Sequence, residues 1–168
     1  MTINIRVATP DDVEVWRRLR RDGIARFPSA FIPSLEEHDA SPAKDDVARL
    51  ARGDRFLAFR GETPVGLVGM NRHAGRSDHR GEIGPMYVVP DAQQAGVATL
   101  LLRHVLEYAR QVGIWQPELA VNEDNSRALA LYKKHGFIEV GRIPNAVMGA
   151  NGPEHDLLMI LPQAAGQT

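Results

Sequence analysis

From Gln93 to Thr99 the chain reads QQAGVAT, and a long apolar-striped helix follows without a break. A self-contained helix opens on Ser, Thr, Asp or Asn, whose side chain occupies the first free backbone N–H groups. Here the first turn carries only small or uncharged residues. Its N–H groups and the positive end of the helix dipole are left for an outside acceptor. Gly96 and Ala98 allow a phosphate to approach that backbone closely. The spacing Gln93, Gly96, Ala98 fits Gln/Arg-x-x-Gly-x-Gly/Ala. It is not a P-loop, since no Gly-Lys-Ser/Thr follows, nor the GxGxxG dinucleotide fingerprint. A small-residue helix start packed on a sheet is the competing reading.

A second chemical signal lies just upstream. Gly84 and Pro85 interrupt a run, EIGPMYVV, that reads as a strand. Proline cannot donate to a ladder and glycine weakens it, so either this strand bulges away from a neighbour or it is an edge strand. His73, Asp78 and His79 cluster in a turn, but two histidines six residues apart give no standard ligand spacing, so no metal is expected. The absence of cysteine excludes disulfides, thiolate-bound zinc and thiol nucleophiles.

Over 168 residues the net charge is −1, with 43% hydrophobic and 24% charged residues. That balance suits a globular protein and gives no basic excess for nucleic acid. MTINIRVATPDD carries no basic-then-apolar pattern, and no apolar run reaches membrane-spanning length. A cytoplasmic location without nucleic-acid or membrane partners is expected.

The elements that must position these residues follow from periodicity. Ile3, Ile5 and Val7 alternate as a strand. Thr9 and Pro10 start a helix that Gly23 is expected to stop. Residues 25–40 read as a loop or broken helix. A second helix starts at Ser41–Pro42 and ends at Gly53. Phe56–Arg60 and Val65–Asn71 form a hairpin turning at Gly61–Pro64, and a third strand lies within 77–90. Leu101, Leu102, Val105, Leu106, Ala109 and Val112 stripe the long helix. Residues 116–122 form a strand. A helix runs from an Asn125 cap to a Gly136 stop. Two strands, 137–144 and 155–162, close the chain. The order β-α-α-β-β-β-α-β-α-β-β implies an α/β (mixed α+β) domain over 1–162 with a parallel crossover near 80–122. Residues 163–168 are expected to be a disordered tail.

One stretch goes further. Leu119, Val121, Asn125, Ala128, Leu131, Tyr132, Gly136 and Phe137 match Leu-x-Val-x-x-x-Asn-x-x-Ala-x-x-Leu-Tyr-x-Lys-x-Gly-Phe at each position. With EIGPMYVVP and the 93–98 pattern, the chain resembles the GNAT superfamily of acyl-CoA-dependent N-acyltransferases. The resemblance implies a central mixed, mostly antiparallel sheet of about seven strands, flanked by about four helices and splayed at the cofactor site. It implies acetyl-CoA as co-substrate, with its pyrophosphate on Gln93, Gln94, Ala95, Gly96, Val97, Ala98 and Thr99. The pantetheine arm would pair with Met86, Tyr87 and Val88, and Asn125, Ala128, Leu131 and Tyr132 would face it. Lys134, with Lys133 and Arg127, would approach the 3′-phosphate. The chain departs from the commoner family pattern at 93, 94, 95 and 98, which keeps backbone donors but removes side-chain charge.

The resemblance also implies a reaction: direct acetyl transfer, in a ternary complex, to a primary amine of a small molecule or peptide. Tyr132 is then the general acid at the departing sulfur. Glu82 is the leading base, made effective by partial burial and acting through water, with His73 and His79 as rivals. The segment RFPSAFIPSLEEH (Arg26–His38) would cover the acceptor, with Phe31, Glu36, Glu37 and His73 as acceptor-site candidates and Asp39 adding negative charge. Many members are homodimers, and that option stays open here. The alternative function is a non-catalytic CoA-binding sensor or scaffold.

Overall fold

The structure, a computed structural model, describes residues 2–163. Its strands are β1 (Ile3–Val7), β2 (Arg55–Arg60), β3 (Thr63–Arg72), β4 (Arg80–Val88), β5 (Gln116–Asn122), β6 (Ile138–Gly149) and β7 (Gly152–Ile160). Its α-helices are α1 (Val13–Arg26), α2 (Leu35–Ala40), α3 (Ala43–Leu50), α4 (Val97–Gln111) and α5 (Ser126–Lys134). The strands form one seven-stranded sheet in the order β1-β2-β3-β4-β5-β7-β6. Pairs β1–β2, β2–β3, β5–β7 and β6–β7 are antiparallel, and β4–β5 is parallel across α4. This is the mixed, mostly antiparallel sheet expected.

The parallel ladder is short. It joins Arg80–Glu82 to Gln116–Glu118. β5 then continues to Asn122 paired with β7, and β4 continues to Val88 through a cis Gly84–Pro85 peptide. The ladder therefore ends two residues before Gly84, as expected where a strand carries a residue that cannot donate.

The chain divides into two compact units. The first combines residues up to Met70 with Gly84–Val105. Its core gathers Trp16, Leu19 and Ile24 from α1 with Leu50, Leu57, Leu67 and Tyr87. The spacing 16, 19, 24 puts these on one face of α1, and each large side chain buried there contributes roughly 1.5–3 kcal/mol. The second unit combines Asn71–Ile83 with the chain from Leu106 onward. Leu119, Val121, Tyr132, Phe137 and Met159 are buried in it.

Several boundaries differ from expectation, each for a local reason. Gly23 does not stop α1, which runs on to Arg26. A Cβ at Gly23 would sit 2.6 and 2.8 Å from the Phe31 ring and 3.1 Å from Tyr87. The glycine is there for close approach, not for termination. The region read as a loop or broken helix contains α2, opened by a capping box in which Ser34 accepts from the Glu37 N–H and Glu37 from the Ser34 N–H. Ser34-x-x-Glu37 is legible as a start signal, but Pro28 and Pro33 obscured the period. Ser41 closes α2 rather than opening α3, which starts after Pro42. There are thus three helices before β2, not two.

Gln93–Ala95 are not the first turn of α4. They belong to a separate 3-10 stretch, Pro90–Ala95, that ends on Gly96 at φ 75°. The last two strands are longer than expected and meet in a tight hairpin at Ala150–Asn151. The expected strand end at Pro144 does not hold: a register shift between Ile143 and Val147 and a φ of 55° at Asn145 absorb both residues inside β6. Of the expected tail, residues 164–168 lie outside the described residues. Among the described residues no helix is long and apolar enough to cross a membrane.

Gly23→Ala tests the packing account. In an open helix this change stabilises by ~0.5–1 kcal/mol. Here we expect a loss of about 1–3 kcal/mol from overpacking against Phe31 and Tyr87, read by denaturant unfolding. A stabilised variant would make Gly23 an ordinary helix glycine.

Candidate active site

The corner between β4 and α4 is built from backbone. Ala92 and Val97 are fully buried and anchor its two sides. Between them, Gly96 adopts a left-handed conformation at φ 75°, and a Cβ there would meet nothing within 4 Å. The first i→i−4 bond of α4 runs from the Leu100 N–H to the Gly96 carbonyl at 3.1 Å. The N–H groups of Val97, Ala98 and Thr99 precede it, at the electropositive end of a 15-residue helix. The open space over Gly96 fits a phosphate group. Gln94 and Ala95 are exposed beside it. The Gln93 amide turns back and donates to the Val88 carbonyl at 3.1 Å, tying the corner to the end of β4.

On β4, Met86 is half-buried, whereas Tyr87 and Val88 are buried. The Tyr87 hydroxyl donates to Asp22 of α1. Burial, then this bond, pushes its pKa up. Asp22 is itself held low: burial would raise it, but Tyr87 and Arg26 outweigh that. The Tyr87 side chain is committed to α1, so only its main chain is available to a ligand.

The acceptor-site candidates do not stay together. Phe31 is a core residue, packed over Gly23. The Glu37 carboxylate caps α2 by accepting from Ser34, and Asp39 is bound by Arg21 at 2.9 Å through both oxygens. Glu36 alone of the three remains an exposed carboxylate with no such duty.

In the second unit, Asn125 caps α5, accepting from the Ala128 N–H at 3.1 Å. Ala128 and Tyr132 follow on the same face, with Leu131 half-buried beside them. Tyr132 is 8% exposed, its ring tilted at 60° to Phe137 with centroids 5.7 Å apart. Burial pushes its pKa up to about 12. No hydrogen bond reaches its hydroxyl among the described residues, which leaves a protonated, uncommitted donor. Lys133 and Lys134 are exposed in the last turn, where they also complement the helix dipole.

Glu82 is exposed, where partial burial was expected. The alternation of β4 turns Gly81 and Ile83 inward and Glu82 outward. Its register partner Glu118 is the carboxylate that sequence reasoning missed. Glu118 accepts from Arg80 at 2.8 and 2.9 Å and lies 2.6 Å from His73 Nε2. Burial would raise its pKa, but Arg80 and His73 hold it low. Arg80 and Glu118 are 38 residues apart and meet only through the parallel register, which no local pattern reports. His79 instead stacks on Trp115 at 4.5 Å, and Asp78 lies 4.0 Å from Arg72. The three residues of that turn thus face different partners. Among the described residues no group of three or more metal-binding side chains occurs.

The acetyltransferase (GNAT) family model matches residues 14–137. Mycothiol acetyltransferase of Brachybacterium faecium is 34% identical over 135 residues, 78% of this chain and 39% of that protein. The chain thus spans about two-fifths of that relative's length. N-alpha-acetyltransferase RimI of Mycobacterium tuberculosis is 37% identical over 81 residues, 48% of this chain and 49% of that one. Among solved structures, the putative acetyltransferase yncA from Salmonella typhimurium, determined with acetyl-CoA, superposes with a TM-score of 0.84 at 16% identity, covering 100% of this chain and 98% of that one. The ribosomal-protein-S18-alanine N-acetyltransferase from Escherichia coli gives 0.77 at 20% identity, covering 99% and 98%.

A spectrophotometric titration checks the Tyr132 environment. The phenol step missing from Tyr132→Phe should centre near pH about 12, well above the free value of ~10. Because the folded value is raised, the stability linked to this proton is complete below ~10 and falls as pH rises through the folded value. A missing step near ~10 would mean an exposed phenol.

Proposed function

Because the chain belongs to the acetyltransferase (GNAT) family, we propose that it is an N-acetyltransferase moving an acetyl group from acetyl-CoA to a primary amine of a small molecule or peptide. Support comes chiefly from the β4–α4 corner, where Gly96 leaves open space over the start of α4. Acetyl-CoA, when bound, supplies the activated thioester and a pyrophosphate for that corner. Gln93–Thr99 hold the pyrophosphate through backbone donors. Met86, Tyr87 and Val88 offer main-chain pairing to the pantetheine arm. Asn125, Ala128, Leu131 and Lys134 line the cofactor from α5.

Tyr132 keeps its proton at the hydroxyl and donates it to the departing sulfur. The amine must lose a proton before it attacks, and Glu82, being exposed, takes that proton through water. Glu36 attracts the cationic acceptor. The amine attacks the acetyl carbonyl directly, so no acyl group rests on the protein. Free-thiol release with acetyl-CoA and a broad amine panel tests the reading. Binding of acetyl-CoA without turnover on any amine would replace it with a sensor or scaffold.

Gly96→Asp tests the corner. A Cβ there meets nothing within 4 Å, although φ 75° strains any residue but glycine, and the new carboxylate opposes the phosphates. We expect acetyl-CoA affinity to be lost, measured by calorimetry. Gly96→Asn carries the same backbone cost without charge and should bind more tightly than Gly96→Asp. Equal affinity in Gly96→Asp and the parent protein would remove the pyrophosphate from this corner.

Tyr132→Phe keeps the ring against Phe137 and removes only the donor. A general acid contributes ~10²–10⁴ in rate, and a thiolate leaves readily, so turnover should fall toward the lower figure. Acetyl-CoA affinity should change little, because the hydroxyl acts mostly in the transition state. Unchanged turnover would make Tyr132 a wall of the site.

A further inference from the structure

Four chemistry-bearing side chains share one face of the sheet where β4 meets β5. Arg80 and Glu82 alternate to the same side of β4, and Glu118 is the register partner of Glu82 on β5. His73 follows β3, and its N–H donates to the Arg80 carbonyl at 3.1 Å, which sets it beside them. All four belong to the second compact unit. The acetyl-transfer reading uses only Glu82.

The bonds among them are directional. Arg80 donates to Glu118 through Nε at 2.8 Å and through Nη2 at 2.9 Å, and that bidentate grip fixes the carboxylate plane. His73 Nε2 makes a further contact with the same carboxylate at 2.6 Å. Burial opposes the charge on Glu118, but Arg80 and His73 hold it ionised, and a carboxylate anion only accepts. Nε2 therefore carries the hydrogen and donates it, and the neutral ring keeps its lone pair on Nδ1. Among the described residues no hydrogen bond reaches Nδ1, and the side chain is 35% exposed. One ring nitrogen is anchored while the other is an open, oriented proton acceptor. The other charges of the adjoining turn are engaged elsewhere: Arg72 donates to the Asp78 carbonyl at 2.7 Å, and His79 stacks on Trp115. Glu118, Arg80 and Glu82 are left as the charged groups on the His73 side of the sheet.

We propose that His73 Nδ1 receives the proton that the acceptor amine loses, and that Glu118 is the positioning residue that prepares it. The proposal rests on the acetyl-transfer reading, in which an ammonium must first become an amine. One N–H bond of the ammonium breaks, and its electron pair stays on nitrogen for the attack on the acetyl carbonyl. The proton passes through water to Glu82 and on to Nδ1, where a new N–H bond forms. Carboxylates ordinarily titrate near ~4.3 and imidazoles near ~6.5, so at neutral pH the ring is the better resting place. The imidazolium that forms keeps the Glu118 charge against Nε2 at 2.6 Å. Its exposed edge then returns the proton to solvent and resets the ring.

The test follows thiol release from acetyl-CoA with an accepted amine, from acid to alkaline pH, in the full chain and its variants. His73→Ala should lose ~10² in turnover at neutral pH, the lower end for a general base, with acetyl-CoA affinity by calorimetry at the parent value. The loss should shrink as pH rises, because the acceptor then arrives without its extra proton. Imidazole added to the buffer should restore turnover of His73→Ala saturably and leave the parent unmoved, a response that a packing role does not give. Glu118→Gln keeps the shape and an acceptor for Arg80 but removes the charge, and should lose a smaller factor with the same pH trend. If the parent turns over and His73→Ala either overlays its pH–rate profile or gains nothing from imidazole, the proposal falls and the acetyl-transfer reading stands. Should His73→Ala fail to fold, a Glu118→Gln profile that overlays the parent's overturns the proposal in its place. A parent that releases no thiol with any amine removes the acetyl-transfer reading, and this proposal with it.

Discussion

A strand residue that cannot donate sets the plan of this molecule. β4 pairs with β5 over Arg80–Glu82 and then carries Gly84–Pro85. The two compact units divide the chain at Ile83/Gly84, within the same strand. On one side of that point lie Arg80, Glu82 and the Glu118 cluster. On the other, Met86–Val88 lead straight into the β4–α4 corner. A fully paired β4 would have its main-chain groups consumed by a neighbour. Ending the ladder early keeps backbone available for recognition, which is the resource a helix start also offers. Val97, Ala98 and Thr99 then present main-chain donors at the start of α4, and specificity is left to side chains elsewhere.

Arginine–carboxylate pairs hold the helices in place around this plan. Arg6 grips Asp12 through two bonds of 2.8 Å, and Arg21 grips Asp39 through two of 2.9 Å. Arg17 also donates to the Ser41 carbonyl at 2.9 Å. Exposed pairs of this kind contribute little to stability singly. Their planar, bidentate geometry fixes orientation, which suits the short helices α2 and α3 that propensity alone would not sustain.

Signals confined to a few neighbouring residues were legible. The alternation in β1 and β5, the Asn125 cap, the Gly136 stop and the stripe of α4 all lie within one element. The break at Gly84–Pro85 could be read as well, because proline's missing N–H matters wherever it sits. Gly23 misled because a helix glycine looks like a stop, and only Phe31 and Tyr87 reveal why a side chain is barred there. The sequence pattern puts Gly96 in the first turn of α4, because a left-handed backbone has no signature in a run of small residues. The Glu82 carboxylate was recognisable, but its exposure was not, because one step along a strand exchanges inside for outside. Glu118, with Arg80 and His73, is a product of parallel register and had no local signal at all.

The burial of Tyr132 has a consequence for the shape of a pH–rate profile. With its pKa pushed up to about 12, this phenol stays neutral throughout the range in which amines lose their protons, and an ordinary tyrosine would begin to ionise near ~10. Raising the pH then increases the fraction of acceptor that can attack without disarming the donor. The alkaline limb of such a profile, wherever it falls below the Tyr132 value, reports on a different group or on the stability of the fold itself.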